Sequence, residues 1–452
     1  MGESNNDSGT WKAVALLAGA VLLFACAGSF SRAEAKRAHP ERIPVRFWHM
    51  WTAEWKVVVE RICTRFNESQ DRYEVIPLSV PPGNADAKFM LAVAGGDPPD
   101  VMAQWNQVIP NWAEAGLIVP LDELMQPEEL QRFNAEAYPI VRKIGSYKNR
   151  LYGITTGLNI WACYYRPDHV RAAGLDPDHF PETMDELVQW EDKLVRFDAG
   201  KHLQRMAYQP GFYTLYPALY GGGFYDDATG RLQLNTPQNR AALEFLVERR
   251  SKFGFDEVVR FESGLNASYG MDWPFISGAY SIAVDGQWRV EQIAKFAPNL
   301  EYRTAPIPPP RGGKKHATWS CGNFMIVPSG AKQPQGALEF IKFWSGIANP
   351  ERAGEFYTWG GWLPLSPAVA ASSHYRKYLA EHPQFKVFLE ILPSEDVQPT
   401  PPVPYQMFLW DRISQAEQSA VRGTLSPADA LARLDREMTQ ELARRKELGH
   451  DD

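Results

Sequence analysis

The sequence predicts an α/β fold divided between two lobes. Its 452 residues are 44% hydrophobic, enough to bury a large core, and the chain is longer than one compact domain usually is. Between residues 43 and 103 the pattern predicts strand, helix, strand, helix, strand, which is the order typical of an open α/β sheet. We therefore expect α/β architecture with more than one compact body.

Hydrophobic spacing and turn residues define the predicted elements. Near the start they are strand 43–48, helix 54–66, strand 73–78, helix 85–94 and strand 100–103. Farther along, the sequence predicts a hairpin at 145–154, a strand at 159–165 and helices at 183–198, 236–253, 333–345 and 426–447. Thr183, Thr236 and Ser426 provide N-terminal signals for three of these helices.

Charge and composition restrict the partners. Lys plus Arg is 47 against 54 for Asp plus Glu, and the formal net charge of -7 argues against nucleic acid. The 15 Trp are more than core packing normally requires, because each indole is large and carries an N–H that needs a partner. This surplus indicates a surface or cleft lined with aromatic rings.

The 4 cysteines are too scattered for a disulfide framework or a zinc site. A disulfide between Cys163 and Cys321 is compatible with an oxidising compartment, but two separate buried thiols are the favoured interpretation. The sequence also lacks HExxH, GxSxG and P-loop motifs, so we expect no metal and no cofactor.

Residues 1–35 resemble a signal peptide or lipoprotein signal. The apolar run 13–24 follows Lys12 and precedes small residues, which predicts export from the cytosol. Two cleavage sites fit, one before Cys26 with lipidation of that thiol, which we favour, and one after Ala35. An uncleaved membrane anchor is the third possibility, because the apolar stretch approaches the roughly 20 residues that a spanning helix needs.

An ordered series of short motifs covers the chain from about Ile43 to Glu447. Its members are Phe47–Trp51, Phe66–Glu68 with Tyr73–Val75, Gly95–Val101, Leu151–Ile154, Tyr164–Pro167, Leu219–Phe224 with Asp226, Gly278–Tyr280 with Asp285–Trp288, and Gly361–Pro364. Taken together, the series resembles the family 1 extracellular solute-binding proteins of ABC importers, the group that includes maltose- and glycerol-phosphate-binding proteins.

This resemblance implies a two-lobed periplasmic-binding-protein-like fold with discontinuous lobes. One lobe would combine residues 42–157 with 320–368, and the other 158–319 with 369–452. The ligand would lie in the cleft between the lobes. The expected protein is a monomer at the periplasmic or extracellular face of the membrane that delivers a mono- or oligosaccharide to the permease subunits of an ABC transporter.

The candidate ligand-binding residues follow from the chemistry of a sugar, which presents apolar C–H faces and a rim of hydroxyls. Trp51, Trp105 and Asn106 lie after strands, at the sheet edge where ligands of open α/β sheets bind. The resemblance adds Asn159, Phe212, Trp288, Gly322, Trp362 and Trp410. Trp319 lies within a predicted strand, so we expect it to be a packing residue.

Other functions remain open at this point. The candidate positions offer little fixed positive charge apart from neighbouring Arg289 and Arg412, so a glycerol phosphate or polyol is the second choice of ligand. A secreted glycoside hydrolase would need a pair of carboxylates, but no spacing pairs any of the available ones, which are Glu54, Asp100, Asp272 and Asp285. Asp100 suits a capping role in a turn. An adhesive surface protein would need no cleft, and we favour a binding protein over an enzyme.

Overall fold

The computed structural model describes residues 37–265 and 272–449, so Cys26 and the export segment 1–35 lie outside the described residues. The strands are β1 Ile43–His49, β2 Tyr73–Ser79, β3 Val101–Trp105, β4 Ile118–Val119, β5 Ser146–Tyr147, β6 Arg150–Leu151, β7 Gly153–Tyr165, β8 Arg196–Phe197, β9 Leu203–Gln209, β10 Tyr225–Asp226, β11 Arg231–Leu232, β12 Tyr280–Gly286, β13 Arg303–Ala305, β14 Thr318–Pro328 and β15 Val397–Gln398.

The α-helices alternate with these strands. They are α1 Ala53–Glu68, α2 Pro82–Ala94, α3 Ile109–Glu114, α4 Pro127–Glu136, α5 Pro139–Gly145, α6 Pro167–Ala172, α7 Met184–Leu194, α8 Pro237–Ser251, α9 Phe255–Ser263, α10 Trp288–Phe296, α11 Pro334–Ser345, α12 Pro350–Gly360, α13 Pro367–Ala370, α14 Ser373–Glu381, α15 Lys386–Ile391, α16 Gln406–Val421 and α17 Pro427–Glu447. In the described part of the chain, none of these helices has the length and apolar character needed to cross a membrane.

The chain forms two compact units. Of the described residues, unit 1 contains those up to Ala135, Gly145–Thr156 and Asn323–Gly360, and unit 2 contains Glu136–Ile144, those within Gly157–Gly322 and those from Gly361 onward. The chain therefore changes unit within β7 and within β14. The lobe boundaries expected from the sequence lie nearby but do not assign 136–144 to the second lobe, and they remain a proposal.

Unit 1 is built on a sheet in the order β2-β1-β3-β14. Strand β1 is parallel to both β2 and β3, whereas residues 323–326 of β14 run antiparallel to β3. Rings of Phe47, Phe66 and Phe340 meet edge to face at centroid distances of 5.1 and 5.3 Å and join β1, α1 and α11. This apolar core holds the carboxyl ends of β1 and β3 in place.

The buried carboxylate of Asp100 joins the turn before β3 to its neighbours in unit 1. Its two oxygens accept the backbone N–H groups of Arg46 and Gln333, each at 2.8 Å. The sequence led us to expect local capping within the turn, whereas these bonds join Asp100 to residues that are distant in the sequence, one on β1 and one directly before α11. They give the carboxylate a structural role.

Unit 2 is built on the strand order β7-β12-β9-β8. Strand β12 runs antiparallel to β7 and parallel to β9, and β13 also pairs with β7. The first residues of β14 pair in parallel with β15, through Thr318 with Val397 and Trp319 with Gln398. These pairings place the ends of β7, β9, β12 and β14 within one unit.

Several local predictions are confirmed. Helices α7, α8 and α17 begin directly after Thr183, Thr236 and Ser426, whose side chains accept backbone N–H groups of the first turn. Cys163 and Cys321 are free thiols, and burial raises the pKa of both, that of Cys321 to about 12. The favoured interpretation of two separate buried thiols agrees with the structure.

The burial of His49, at the end of β1, predicts that the protein becomes less stable as the pH falls. The imidazole is fully buried without a hydrogen-bond partner on either nitrogen, and burial, with the charge of Lys56, lowers its pKa to about 4. Between pH 6.5 and pH 4 the imidazole is protonated in the unfolded chain but stays neutral in the folded chain. The free energy of unfolding is therefore highest above pH 6.5 and decreases as the pH falls towards 4. The full difference is about 3 kcal/mol, of which about 2 kcal/mol is lost by pH 5.

Urea unfolding at pH 7 and pH 5 measures this effect. Between pH 7 and pH 5, the free energy of unfolding should decrease by about 2 kcal/mol less in His49→Gln than in the wild type. His374→Gln, at an exposed position, is the control and should follow the wild type. Equal losses in the wild type and His49→Gln would show that this imidazole does not control the acid response.

Candidate ligand-binding site

Five aromatic side chains of unit 2 meet in one cluster, here called the aromatic cluster and defined as Trp161, Phe212, Trp288, Trp319 and Trp410. Trp319 stacks on Trp410 with centroids 4.7 Å apart and planes at 30°. Trp161 lies 5.0 Å from Trp319 and meets Trp288 edge to face at 5.6 Å. The ring of Phe212 contacts Trp161, Trp319 and Trp410 at 5.5, 5.7 and 6.4 Å.

Strands and helix ends position these rings. Trp161 and Trp319 are buried on β7 and β14, whereas Trp288 begins α10 and Trp410 lies in the second turn of α16, both half-buried. The cluster therefore combines rings fixed by the sheet with rings that are partly exposed and available to a ligand. Flat apolar faces of this kind suit the C–H faces of a sugar.

The loop after β9 carries Phe212 and is held from two sides. Gly211 adopts a φ of 72°, a conformation that favours glycine. The backbone N–H of Tyr213 donates to the Glu417 carboxylate on α16 at 3.0 Å. Burial raises the pKa of the half-buried Glu417 carboxyl.

Charged groups beside the cluster are paired with protein partners. The Arg289 guanidinium donates to Asp285 at 2.7 Å and lies 4.4 Å from the Trp273 ring centroid. Arg250 donates to the carbonyl of Gly211 at 2.7 Å. This arrangement leaves the surroundings of the rings with little uncommitted charge. Within 37–265 and 272–449, no three His, Cys, Asp or Glu side chains lie close enough together to hold a metal ion.

Asn159 lies on β7, two residues before Trp161. Its side-chain oxygen Oδ1 accepts a hydrogen bond from the side-chain amide of Gln287 at 2.9 Å, and its side-chain nitrogen Nδ2 lies 3.7 Å from the sulfur of Cys321. Gln287 is itself buried and also bonds the backbone of Leu158 and Ile160. Asn159 is therefore held in one orientation by Gln287, directly before α10, and by Cys321 on β14.

The other residues selected from the sequence lie in several places. In unit 1, Trp51 is buried and stacks on Trp344 at 5.7 Å, Trp105 ends β3, and Asn106 is buried in the next turn. In unit 2, Gly322 lies so close to Gly157 that a Cβ would be 2.6 Å from its carbonyl oxygen. The carbonyl of buried Trp362 accepts the Tyr375 hydroxyl at 2.9 Å. The structure thus brings together Phe212, Trp288 and Trp410.

Sequence reasoning did not select Trp161 and placed Trp319 among the packing residues. The signal for Trp161 was its spacing, because alternate residues of a strand share one face and Trp161 follows Asn159 by two. Trp319 is indeed a buried strand residue, but one face of its indole contacts Trp410. A strand position therefore does not separate packing from participation in the cluster.

Most of the chain matches a known protein family. The profile described as "Bacterial extracellular solute-binding protein" matches residues 61–385, most of the chain. The chain belongs to this family. The expected resemblance is thereby confirmed.

Curated relatives of this solute-binding protein are themselves binding proteins. A "Maltotriose-binding protein" of Pyrococcus abyssi is 25% identical over 60% of this chain, and the match spans 52% of the relative, about half of its length. The "sn-glycerol-3-phosphate-binding periplasmic protein UgpB" of Escherichia coli is 21% identical over 75% of this chain and 78% of its own.

Solved structures show the same fold. "CpMnBP1 with Mannotriose Bound" has a TM-score of 0.74 and 24% identity, covering 88% of this chain and 100% of the other. "The structure of the sugar-binding protein MalE from the phytopathogen Xanthomonas citri" has a TM-score of 0.73 and 20% identity, with coverage of 90% and 100%. The expected two-lobed α/β fold class is confirmed.

Gly286 gives a test of the cluster within this solute-binding protein. A Cβ at this buried position would overlap the six-membered ring of Trp288. Gly286→Ala should therefore displace that indole, weaken ligand binding about tenfold or more and cost about 1–3 kcal/mol of stability. Binding calorimetry and urea unfolding measure the two effects.

Gly83→Ala is the matched control, because a Cβ there meets no atom within 4 Å. It should leave affinity unchanged. Wild-type affinity in Gly286→Ala would mean that the position of Trp288 does not matter for binding.

Proposed function

We propose that this protein binds a neutral mono- or oligosaccharide on the aromatic cluster and delivers it to the membrane permease of an ABC importer. The observation that carries the proposal is the stack of Trp319 on Trp410, bordered by Phe212, in surroundings whose charges are already paired. Such a surface favours a ligand with apolar faces and no net charge. Trp51, Trp105, Asn106, Asn159, Gly322 and Trp362 remain further proposed ligand contacts.

Relatives named for saccharides support this choice of ligand. They include the maltotriose-binding protein of Pyrococcus abyssi and the structure with mannotriose bound. We further propose that the protein acts by binding and not by catalysis, that it is exported by the segment 1–35, and that Cys26 is lipidated. Palmitate labelling of the wild type and of Cys26→Ser tests the last point, because only the wild type should incorporate label.

A second candidate ligand is a glycerol phosphate. The UgpB relatives favour it, since the match with the protein of Escherichia coli spans 78% of that relative. A phosphate would require uncommitted cationic or N–H donors at the site. Because Arg289 is paired with Asp285, it provides less uncommitted positive charge for a phosphate beside the cluster.

Thermal unfolding against a panel of mono- and oligosaccharides, polyols and sn-glycerol 3-phosphate decides between these ligands. A ligand at about 100 times its dissociation constant stabilises the folded state by about 2.7 kcal/mol, which shifts the midpoint visibly. We expect stabilisation by a neutral saccharide that is recovered intact. A shift with sn-glycerol 3-phosphate alone would replace the sugar by the second candidate, and release of reducing ends would contradict a purely binding function.

A further inference from the structure

A second cluster of unit 2 has an excess of positive charge and lies outside the aromatic cluster. It consists of Arg166, His169, Arg196 and Arg205, here called the arginine cluster, with Asp168 beside it. Arg196 and Arg205 are direct partners on the antiparallel strands β8 and β9. Like charges directly opposite each other destabilise a sheet, so an interaction that offsets the repulsion would stabilise this pair.

Among the described residues, the carboxylate beside the cluster is that of Asp168, and it is already engaged. Asp168 binds Arg166 in a bidentate pair, with distances of 3.0 and 2.9 Å. The same guanidinium also donates to the carbonyls of Phe275 and Ile276. Arg166 is therefore satisfied by the protein, whereas Arg196 and Arg205 have no carboxylate within 4.0 Å among the described residues.

The remaining two arginines use only part of their donors. Arg196 gives Nη1 to the carbonyls of Lys193 and Val195 at 2.6 and 2.7 Å, and Arg205 gives Nε to the carbonyl of Leu194 at 3.3 Å. These contacts cap the carboxyl end of α7, which favours cations. Within the described part of the chain, they leave Nη2 of Arg196 and both terminal nitrogens of Arg205 as available donors.

Neighbouring groups respond to the excess charge. The half-buried His169 has its pKa lowered to about 4 by burial and by Arg205, with smaller contributions from Arg166 and Arg196. Burial, Arg196 and Arg166 also lower the pKa of Arg205, and Asp168 opposes them. The imidazole is held by the buried Ser281 hydroxyl on β12, 3.1 Å from Nδ1.

We propose that the arginine cluster binds an oxyanion of the phosphate or sulfate class. The unused guanidinium N–H groups of Arg196 and Arg205 would hold two of its oxygens, since planar guanidinium groups suit oxyanions. His169 would add a third contact, and the bound anion would favour the charged form of its ring. The anion would thereby offset the repulsion between the two opposed arginines.

The test follows the His169 imidazole by NMR in the full protein labelled with isotopic histidine and assigned with His169→Gln. Phosphate or sulfate replaces chloride at constant ionic strength. Binding should raise the pKa of His169 by about one unit or more, in a saturable way, because the bound anion favours the charged ring. A titration of His169 that is the same in chloride, phosphate and sulfate would overturn the proposal.

Variants locate the site. Arg196→Gln and Arg205→Gln should weaken the oxyanion response about tenfold or more, because each removes a charge-assisted hydrogen bond. Arg311→Gln, an exposed arginine of unit 2 paired with Asp185, is the control and should respond like the wild type. An unchanged response in Arg205→Gln, in a variant whose thermal midpoint shows that it is folded, would equally refute the assignment.

Vesicles separate the two sources of a phosphate group. We expect inorganic phosphate in solution to produce a saturable increase in the pKa of His169. A response to phosphatidylglycerol vesicles, without one to free phosphate or to phosphatidylcholine vesicles, would identify a lipid headgroup as the oxyanion bound by the same cluster. No response to any of these probes would contradict it.

Discussion

Replacing Trp410 by Ala should weaken saccharide binding about 30-fold. The half-buried indole stacks on Trp319 and is one of the partly exposed rings of the aromatic cluster. Removing a central aromatic contact of a binding site costs about 2 kcal/mol, which corresponds to about 30-fold in the dissociation constant. Trp410→Phe keeps a flat ring and should retain most of the affinity. Binding calorimetry with the saccharide selected by thermal unfolding measures both variants.

The control for this prediction is Trp359→Ala. Trp359 is also half-buried but lies in unit 1, where the guanidinium of Arg61 is 3.6 Å from its ring centroid. Its loss should lower stability and leave saccharide affinity unchanged. If Trp410→Ala and Trp359→Ala reduced affinity equally, the effect would come from general destabilisation and the proposed site would be wrong.

Replacing Arg249 by Met should destabilise the protein by about 3–5 kcal/mol. The guanidinium on α8 lies 2.7 Å from the Glu191 carboxylate on α7, and the two side chains are 3% and 1% exposed. Removing one partner of a buried pair leaves the other charge without adequate compensation. Lys252, 3.1 Å from the same carboxylate, is a weaker replacement because it also pairs with Asp192.

The pH dependence identifies the cause of this loss. Burial raises the pKa of Glu191 even with its partners present, and removal of Arg249 should raise it further. A carboxyl with a raised pKa in the folded state contributes more stability as pH falls, so the difference between Arg249→Met and the wild type should narrow from pH 7 to pH 5. Urea unfolding at both pH values measures it.

Two further variants complete the experiment. The double variant Glu191→Leu/Arg249→Met should recover most of the lost stability, because neither charge remains buried. Arg260→Met removes an exposed arginine from its pair with Glu257 and should cost less than about 1 kcal/mol. Failure of the double variant to recover would indicate that packing, not the uncompensated charge, dominates the loss.

The sequence was most informative where the pattern is local. Strand β1 and helix α1 agree with the predicted spans to within a few residues, because alternation and helical spacing depend on neighbours in the chain. The capped starts of α7, α8 and α17 were readable for the same reason.

Tertiary contacts determined the bounds of those elements that differ from the prediction. Strand β7 begins at Gly153, earlier than the expected 159, and its first residues are buried where the hydroxyls of Thr155 and Thr156 donate to the Asn323 carbonyl. Helix α7 ends at Leu194, before the expected 198, because the chain enters β8 at Arg196. Neither the contact of β7 with Asn323 nor the pairing of β8 with β9 can be predicted from the local sequence.

In the candidate site, too, local chemistry was predictable from the sequence and tertiary contacts were not. The chemistry of Phe212, Trp288 and Trp410 was recognised through the family resemblance, but the distances among rings from β7, β14 and α16 depend on how distant segments pair. The arginine cluster was missed because Arg196 and Arg205 become neighbours only through the register of β8 and β9. The expectation of a ligand held between the two lobes stays a prediction.

The most direct measurement of the central claim is 19F NMR of the protein labelled with 5-fluorotryptophan, with each resonance assigned by a Trp→Phe variant. Adding the saccharide should shift the resonances of Trp161, Trp288, Trp319 and Trp410 and leave that of Trp112, buried against Phe89 in unit 1, unchanged. A saccharide that binds while the four resonances of the aromatic cluster stay fixed would contradict the account.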